Sequence, residues 1–223
     1  WLARASSTGA AIVCEDTDVH VAVFAYCSAI ANGKRLTICK GKKGKKRRIN
    51  IVKSVEKFMR LHAKGGDNTK GEVLLSCLVA VYSATGSDTN GAPHGHPKPA
   101  IWARLVSLHD THPELFESLA LVGTCPAREG ETLQMTTPGG DMVRDDLDMI
   151  MARLLGDHTA YSCDESRGVK LARSGIGVLK RTVPTSDTVR YQWYRADWQS
   201  EMWYLCIMFP WLLPPDPIGK GVD

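Results

Sequence analysis

IVCEDTDVHVAVFAY, residues 12–26, is the stretch whose reading decides the fold. Apolar chain runs into Glu15-Asp16-Thr17-Asp18 and resumes at once, so three carboxylates fall between two segments that both read as buried. The first segment, AAIVC (10–14), has the length and composition of a buried strand, with Asp16 and Asp18 at its carboxyl end. The second, VHVAVFAYC (19–27), is ambiguous between strand and helix, because short apolar runs carry no decisive period. Acids at the carboxyl end of a parallel strand lie where open α/β sheets place their ligand sites.

Downstream, RLTIC (35–39) and RINIV (48–52) flank KGKKGKKRR (40–48) and read as two strands joined by a solvated hairpin loop. VKSVEKFMRLHAK (52–64) repeats apolar residues at Val52, Val55, Phe58, Met59 and Leu61, which predicts an amphipathic helix. GGDN breaks it, and GEVLLSCLVAVYSATG (71–86) predicts one nearly all-apolar, buried helix. The Gly/Pro-rich piece 91–99 is a turn region. Helices are expected in AIWARLVSL (100–108) and HPELFESLALVG (112–123), and 124–140 reads as a loop or boundary. In DDLDMIMARLLG (145–156), Asp145 and Asp146 suit the positive first turn of a helix. Near the end, Tyr191, Tyr194, Trp198, Met202 and Leu205 recur at helical spacing and predict an aromatic packing stripe that stops at Pro210.

The chain has 223 residues, 43% of them hydrophobic and 23% charged, enough to build a globular core. No apolar run reaches the length of a membrane span, so no membrane partner is expected. WLARASSTGA has no signal-peptide pattern and no Met start, which leads us to expect a fragment of a longer protein. Seven cysteines, spread singly with no C-x-x-C pair, argue for reduced thiols in an intracellular protein, and no ligand spacing supports a zinc site. The net charge of +4 hides an asymmetry. Lys40, Lys42, Lys43, Lys45, Lys46, Arg47 and Arg48 carry +7, which leaves −3 for the rest of the chain. Such a run suits phosphate contact or nuclear import as well as a plain solvated loop, so a nuclear location is expected.

Two aspartates in D-x-D spacing can reach one hard divalent cation, and Asp88, at the end of the buried apolar helix, supplies a third acid. Read from spacing alone, the three are better taken as turn and helix caps. Glu15 is set aside, because a neighbour in a strand points to the other face. His94 and His96 lack zinc partners at suitable spacing and read as turn residues.

VCEDTDVHVAVFAY, the basic hairpin, ATGSDTNGA, HGHPKPAIWARL and the tail VPTSDTVRYQWYRADWQSEMW together resemble the flap-endonuclease-like branch of the PIN-like nucleases. The likeness is nearest to a group of animal proteins associated with mobile elements, and it runs from about residue 10 to residue 215. It implies a PIN-like α/β core, a mostly parallel sheet flanked by helices, over residues 1–123. A loop over 124–140 and a helical C-terminal extension over 141–223 would follow. It implies Asp16, Asp18 and Asp88 as catalytic, metal-facing carboxylates for Mg²⁺ or Mn²⁺ in two-metal phosphodiester hydrolysis. Lys42, Lys43, Lys45, Lys46, Arg47, Arg48, Lys98 and Arg104 would hold the nucleic-acid backbone, DNA before RNA.

The chain also departs from that family. Trp1–Ala11 contains no acid, whereas the family's site draws further acids from an earlier strand and helix. The hairpin pattern is replaced by a segment holding Pro93, Pro97 and Pro99, which lack the N–H donors a phosphate grip uses. The resemblance therefore implies a nuclease, or a truncated form of one. The alternative is a catalytically inactive nucleic-acid-binding or scaffold protein that keeps the fold.

Overall fold

Residues 10–14 do begin as a strand: β1 is Gly9–Val13 in the computed structural model, which describes residues 9–31, 34–41, 47–63, 65–87, 91–93, 95–122, 140–174 and 183–208. Packing divides the chain into two compact units, residues 1–79 with 201–215, and residues 80–200 with 216–223.

In the first unit the ambiguous run after β1 is a helix, α1 (Thr17–Ala25), followed by the single turn α2 (Cys27–Ala31). Asp16 starts α1. Its backbone is extended, at φ −69° and ψ 126°, and its side chain accepts the N–H of Asp18 at 2.9 Å, an N-cap for one of the orphan donors. The two helices form the crossover to β2 (Arg35–Lys40), which pairs in parallel with β1 from Gly9↔Arg35 to Val13↔Cys39. Gly9 is required there, because a Cβ would lie 2.8 Å from the carbonyl oxygen of Arg35.

β3 (Arg47–Asn50) returns antiparallel to β2, with Lys40 opposite Arg47 and Thr37 opposite Asn50. The sheet is therefore small and mixed, in the order β1-β2-β3, and not mostly parallel as expected. The physical reason is the connection. Residues 41–46 are too few for a parallel crossover and permit only a hairpin. The strand expected over 48–52 also stops early. Asn50 accepts the N–H of Lys53 at 3.1 Å and caps α3 (Ile51–His62), so Ile51 and Val52 are helical.

Val23, Cys27, Ile30, Leu36, Ile38 and Ile51 form the buried cluster of this unit, with Val52 and Val55 of α3 packed against it. Leu36 and Ile38, two apart on the central strand, point to the same face, and full burial of each contributes about 1.5–3 kcal/mol. The helix expected over 71–86 is two, α4 (Thr69–Ser76) and α5 (Leu78–Ala84), separated by a turn at the buried Cys77.

The second unit is helical. α6 (Lys98–Thr111) and α7 (Leu115–Leu121) pack on α8 (Gly140–Leu154). The apolar face of α8 is Leu147, Ile150, Met151 and Leu154. Because α8 starts at Gly140, Asp145 and Asp146 lie in its second turn rather than its first, and Asp146 accepts a hydrogen bond from Ser118 Oγ at 2.6 Å. The expected loop at 124–140 lies outside the described residues apart from Gly140. α9 (Cys163–Ser174), which no sequence pattern had marked, joins α8 to α10 (Ser186–Met208).

Of the aromatic stripe expected on α10, Trp198 is buried, but its first member is not. Tyr191 is 47% exposed, whereas Trp193 is 1% exposed and donates its indole N–H to the carbonyl of Leu147 at 3.1 Å. The buried seam through Ser200 is Val189, Trp193, Ala196 and Ser200, at the i, i+3, i+4 spacing of one helix face. Asp148 ties three helices together. It accepts the Cys163 N–H at 3.2 Å and the Ser186 hydroxyl at 2.5 Å, at the N-termini of α9 and α10. Those two termini also cap each other: the Asp164 N–H donates to Ser186 Oγ and the Ser186 N–H to Asp164 Oδ1.

Candidate metal and nucleic-acid site

β1 ends at Val13, and the three residues between it and α1 build the site. The Cys14 N–H continues the parallel ladder to the carbonyl of Cys39 at 3.2 Å, and the Cys14 carbonyl meets His20 Nε2 at 3.0 Å. The strand is thus held until the chain turns into the helix. Asp16 is exposed at the start of α1 and Asp18, half-buried, sits in its first turn. One oxygen of Asp16 is used by the cap, and the structure brings both carboxylates to the carboxyl end of β1.

Glu15, set aside on strand alternation, has a role that alternation cannot describe, because the chain has left the strand by residue 15. Its Oε1 accepts the N–H of Gly41 at 2.6 Å, across to the end of β2. Gly41 opens the basic run. Lys40 on β2 and Arg47 on β3 are directly paired, and Arg47 and Arg48 are exposed. Carboxylates and cations therefore leave the sheet at the same end, one strand apart. The signal for Glu15 was its position beside the turn; what hid it was the 26-residue separation from Gly41.

Asp88, His94, Lys42, Lys43, Lys45 and Lys46 lie outside the described residues. Among the described residues no group of three or more His, Cys, Asp or Glu side chains is arranged to hold a metal ion. Asp16 and Asp18 are hard oxygen donors of the kind Mg²⁺ and Mn²⁺ take. Mg²⁺ commonly uses one or two carboxylates and completes its shell with waters and substrate phosphate. Two carboxylates are a number one such ion takes from protein and too few for two ions.

Lys98 and Arg104 belong to the second unit, where both hold backbone carbonyls. Lys98 Nζ donates to the Tyr82 carbonyl at 2.7 Å and to that of Gly86, and lies 3.1 Å from the centroid of the Tyr82 ring. Arg104 Nη1 donates to the Leu154 carbonyl at 2.8 Å and lies 3.2 Å from His96 Nδ1. Both cations thus satisfy the orphan carbonyls at helix C-termini, of α5 and α8.

Two of the thiols are buried and unreactive. Burial raises the pKa of Cys77 to about 12, and burial with the charges of Asp148 and Asp164 raises that of Cys163 further, so both stay protonated and inert. No helix among the described residues is long and apolar enough to cross a membrane. No family model, curated protein or solved structure matches this chain.

Proposed function

We propose that this protein is a divalent-metal-dependent nuclease of the flap-endonuclease-like PIN class, or a truncated form of one. The observation that carries the reading is the shared end of the sheet. Asp16 and Asp18 follow the carboxyl end of a parallel strand, and Glu15 is hydrogen-bonded to the first residue of the basic turn. A phosphodiester held by the turn would have its scissile phosphate near the two carboxylates.

In this reading Asp16 and Asp18 hold one Mg²⁺ or Mn²⁺, and Asp88 is the third acid that the resemblance implies. The bound cation supplies a more acidic attacking water and stabilises charge on the scissile phosphate. The run Lys42–Arg48 holds the backbone by charge, and Glu15 fixes the base of that run relative to Asp16. Lys98 and Arg104 keep their carbonyl partners and act on the nucleic acid only through the fold.

A second reading has its own support. One Asp16 oxygen is used as a helix cap, and two carboxylates are few. On that ground the chain is a nucleic-acid-binding protein that keeps the basic turn and has lost catalysis.

One assay separates them. The purified chain is incubated with labelled single-stranded and 5′-flapped DNA in Mn²⁺, beside EDTA and the variants Asp18→Asn and Asp88→Asn. Cleavage lost in all three controls supports the nuclease. Binding without cleavage supports the second reading, provided that affinity falls with salt. Six phosphate contacts from the run would give a slope of about −4 in log K against log salt on single strands. A slope near zero refutes both.

A further inference from the structure

The second unit contains a cationic pocket that neither reading uses. α6 presents Arg104, Ser107 and Thr111 on one face, spaced i, i+3 and i+7, with His112 just beyond its end. Arg153, in the last turn of α8, and His158, in the turn after it, close the opposite side. The cavity is about 380 Å³, and no carboxylate among the described residues lines it.

Arg153 is the informative residue. It is 8% exposed, and its Nε and Nη1 are buried with no hydrogen-bond partner. A guanidinium carries five donors in a fixed fork, and leaving the three on Nε and Nη1 dry is costly. Glu114, an acid whose charge reaches Arg153, is exposed and spends an oxygen on His112 Nδ1 at 3.0 Å. The turn between Arg153 and His158 comes close to Arg104, because Gly156 has φ +97° and a Cβ there would meet the Arg104 guanidinium at 3.4 Å.

We propose that this pocket binds a phosphate-class oxyanion carried by a small molecule, with Arg153 as its principal donor. Two guanidiniums and two imidazoles line a space without acids among the described residues, a donor set that fits a tetrahedral dianion, while the Thr111 hydroxyl stays on the carbonyls of Ser107 and Leu108. The volume lies toward the lower end of the ~300–1,000 Å³ of small-molecule sites, larger than a bare ion needs and suited to a compact phosphomonoester. A bound oxyanion would offset the buried charge of Arg153.

Calorimetry on the full chain tests this with two probes, inorganic phosphate and a nucleoside 5′-monophosphate. The wild type should bind with a dissociation constant of roughly 1 mM or tighter, with the monophosphate tighter if the ester is recognised and equal if free phosphate is the ligand. Arg153→Met should weaken binding by roughly 10–150-fold, the value of one charged hydrogen-bonded group. It should also raise the melting temperature of the ligand-free protein, because the unpaired buried charge is gone. The exposed His158→Gln guards against a misfolded variant: it should melt as wild type and bind several-fold more weakly. Absence of binding by both probes overturns the proposal. So does undiminished binding in a folded Arg153→Met, or an oligonucleotide lacking terminal phosphate that displaces both probes.

Discussion

Asp16 does two things in the proposed nuclease, and two substitutions separate them. Asp16→Ala removes both the helix cap and the charge; Asp16→Asn keeps the cap, since asparagine serves that position as well as aspartate, and removes only the charge. The cap is the 2.9 Å hydrogen bond from the Asp18 N–H, and its loss costs about 1 kcal/mol (range 0.5–2). Loss of the negative charge at the α1 N-terminus costs a further ~0.3–1 kcal/mol in either variant. In a unit of this size 1 kcal/mol moves the melting temperature by about 4–8 °C, so Asp16→Ala should melt clearly below Asp16→Asn. Metal binding gives the opposite contrast. Mn²⁺ at a hundred times its dissociation constant should stabilise the wild type by about 2.7 kcal/mol and should stabilise neither variant. Thermal melts of the three proteins across a Mn²⁺ titration read both effects. Equal melting of the two variants without metal refutes the cap as a stabilising contact. An undiminished Mn²⁺ shift in Asp16→Asn refutes Asp16 as a metal-facing carboxylate.

Two further outcomes follow from the packing. Asp148→Ala removes a hydrogen bond at the start of both α9 and α10 and should destabilise the protein by about 2–3 kcal/mol in urea melts followed by tryptophan fluorescence, at about one helix cap each plus the charge. Ser186→Ala should show a smaller loss, and the double variant should cost less than the sum, because the sites share the bond. Cys77 predicts an alkaline limit. Burial raises its folded pKa from 9.0 to about 12, so its contribution is complete below pH 9 and is lost as pH rises from 9 toward 12, by about 1.4 kcal/mol per unit. A Cys77→Ala protein should have a flatter stability profile across that window in pH-dependent urea melts, and an identical slope would refute the assignment.

Local chemistry made much of the first unit legible in the sequence. The strand before Glu15, the hairpin around the basic run and the amphipathic α3 all follow from patterns a few residues long. The antiparallel pairing of β2 with β3 was implicit in the hairpin itself, since so short a connection permits nothing else. Cys77 and α9 were not legible: one ends a helix that its apolar sequence would continue, and the other is a polar, heavily charged run with few apolar residues to mark it.

The sequence by itself determined where the carboxylates and the cations lie along the chain. Only the tertiary structure decided what each side chain meets. The run 19–27 became a helix because β1 and β2 pair in parallel and need a crossover. Trp193 was buried and Tyr191 was not because the face of α10 is chosen by α8, 46 residues away. Arg104 reached the carbonyl of Leu154 and Arg153 lost its water for the same reason. A side chain's propensity is a local property, whereas its burial and its partners are set by elements that adjoin it only once the chain has folded.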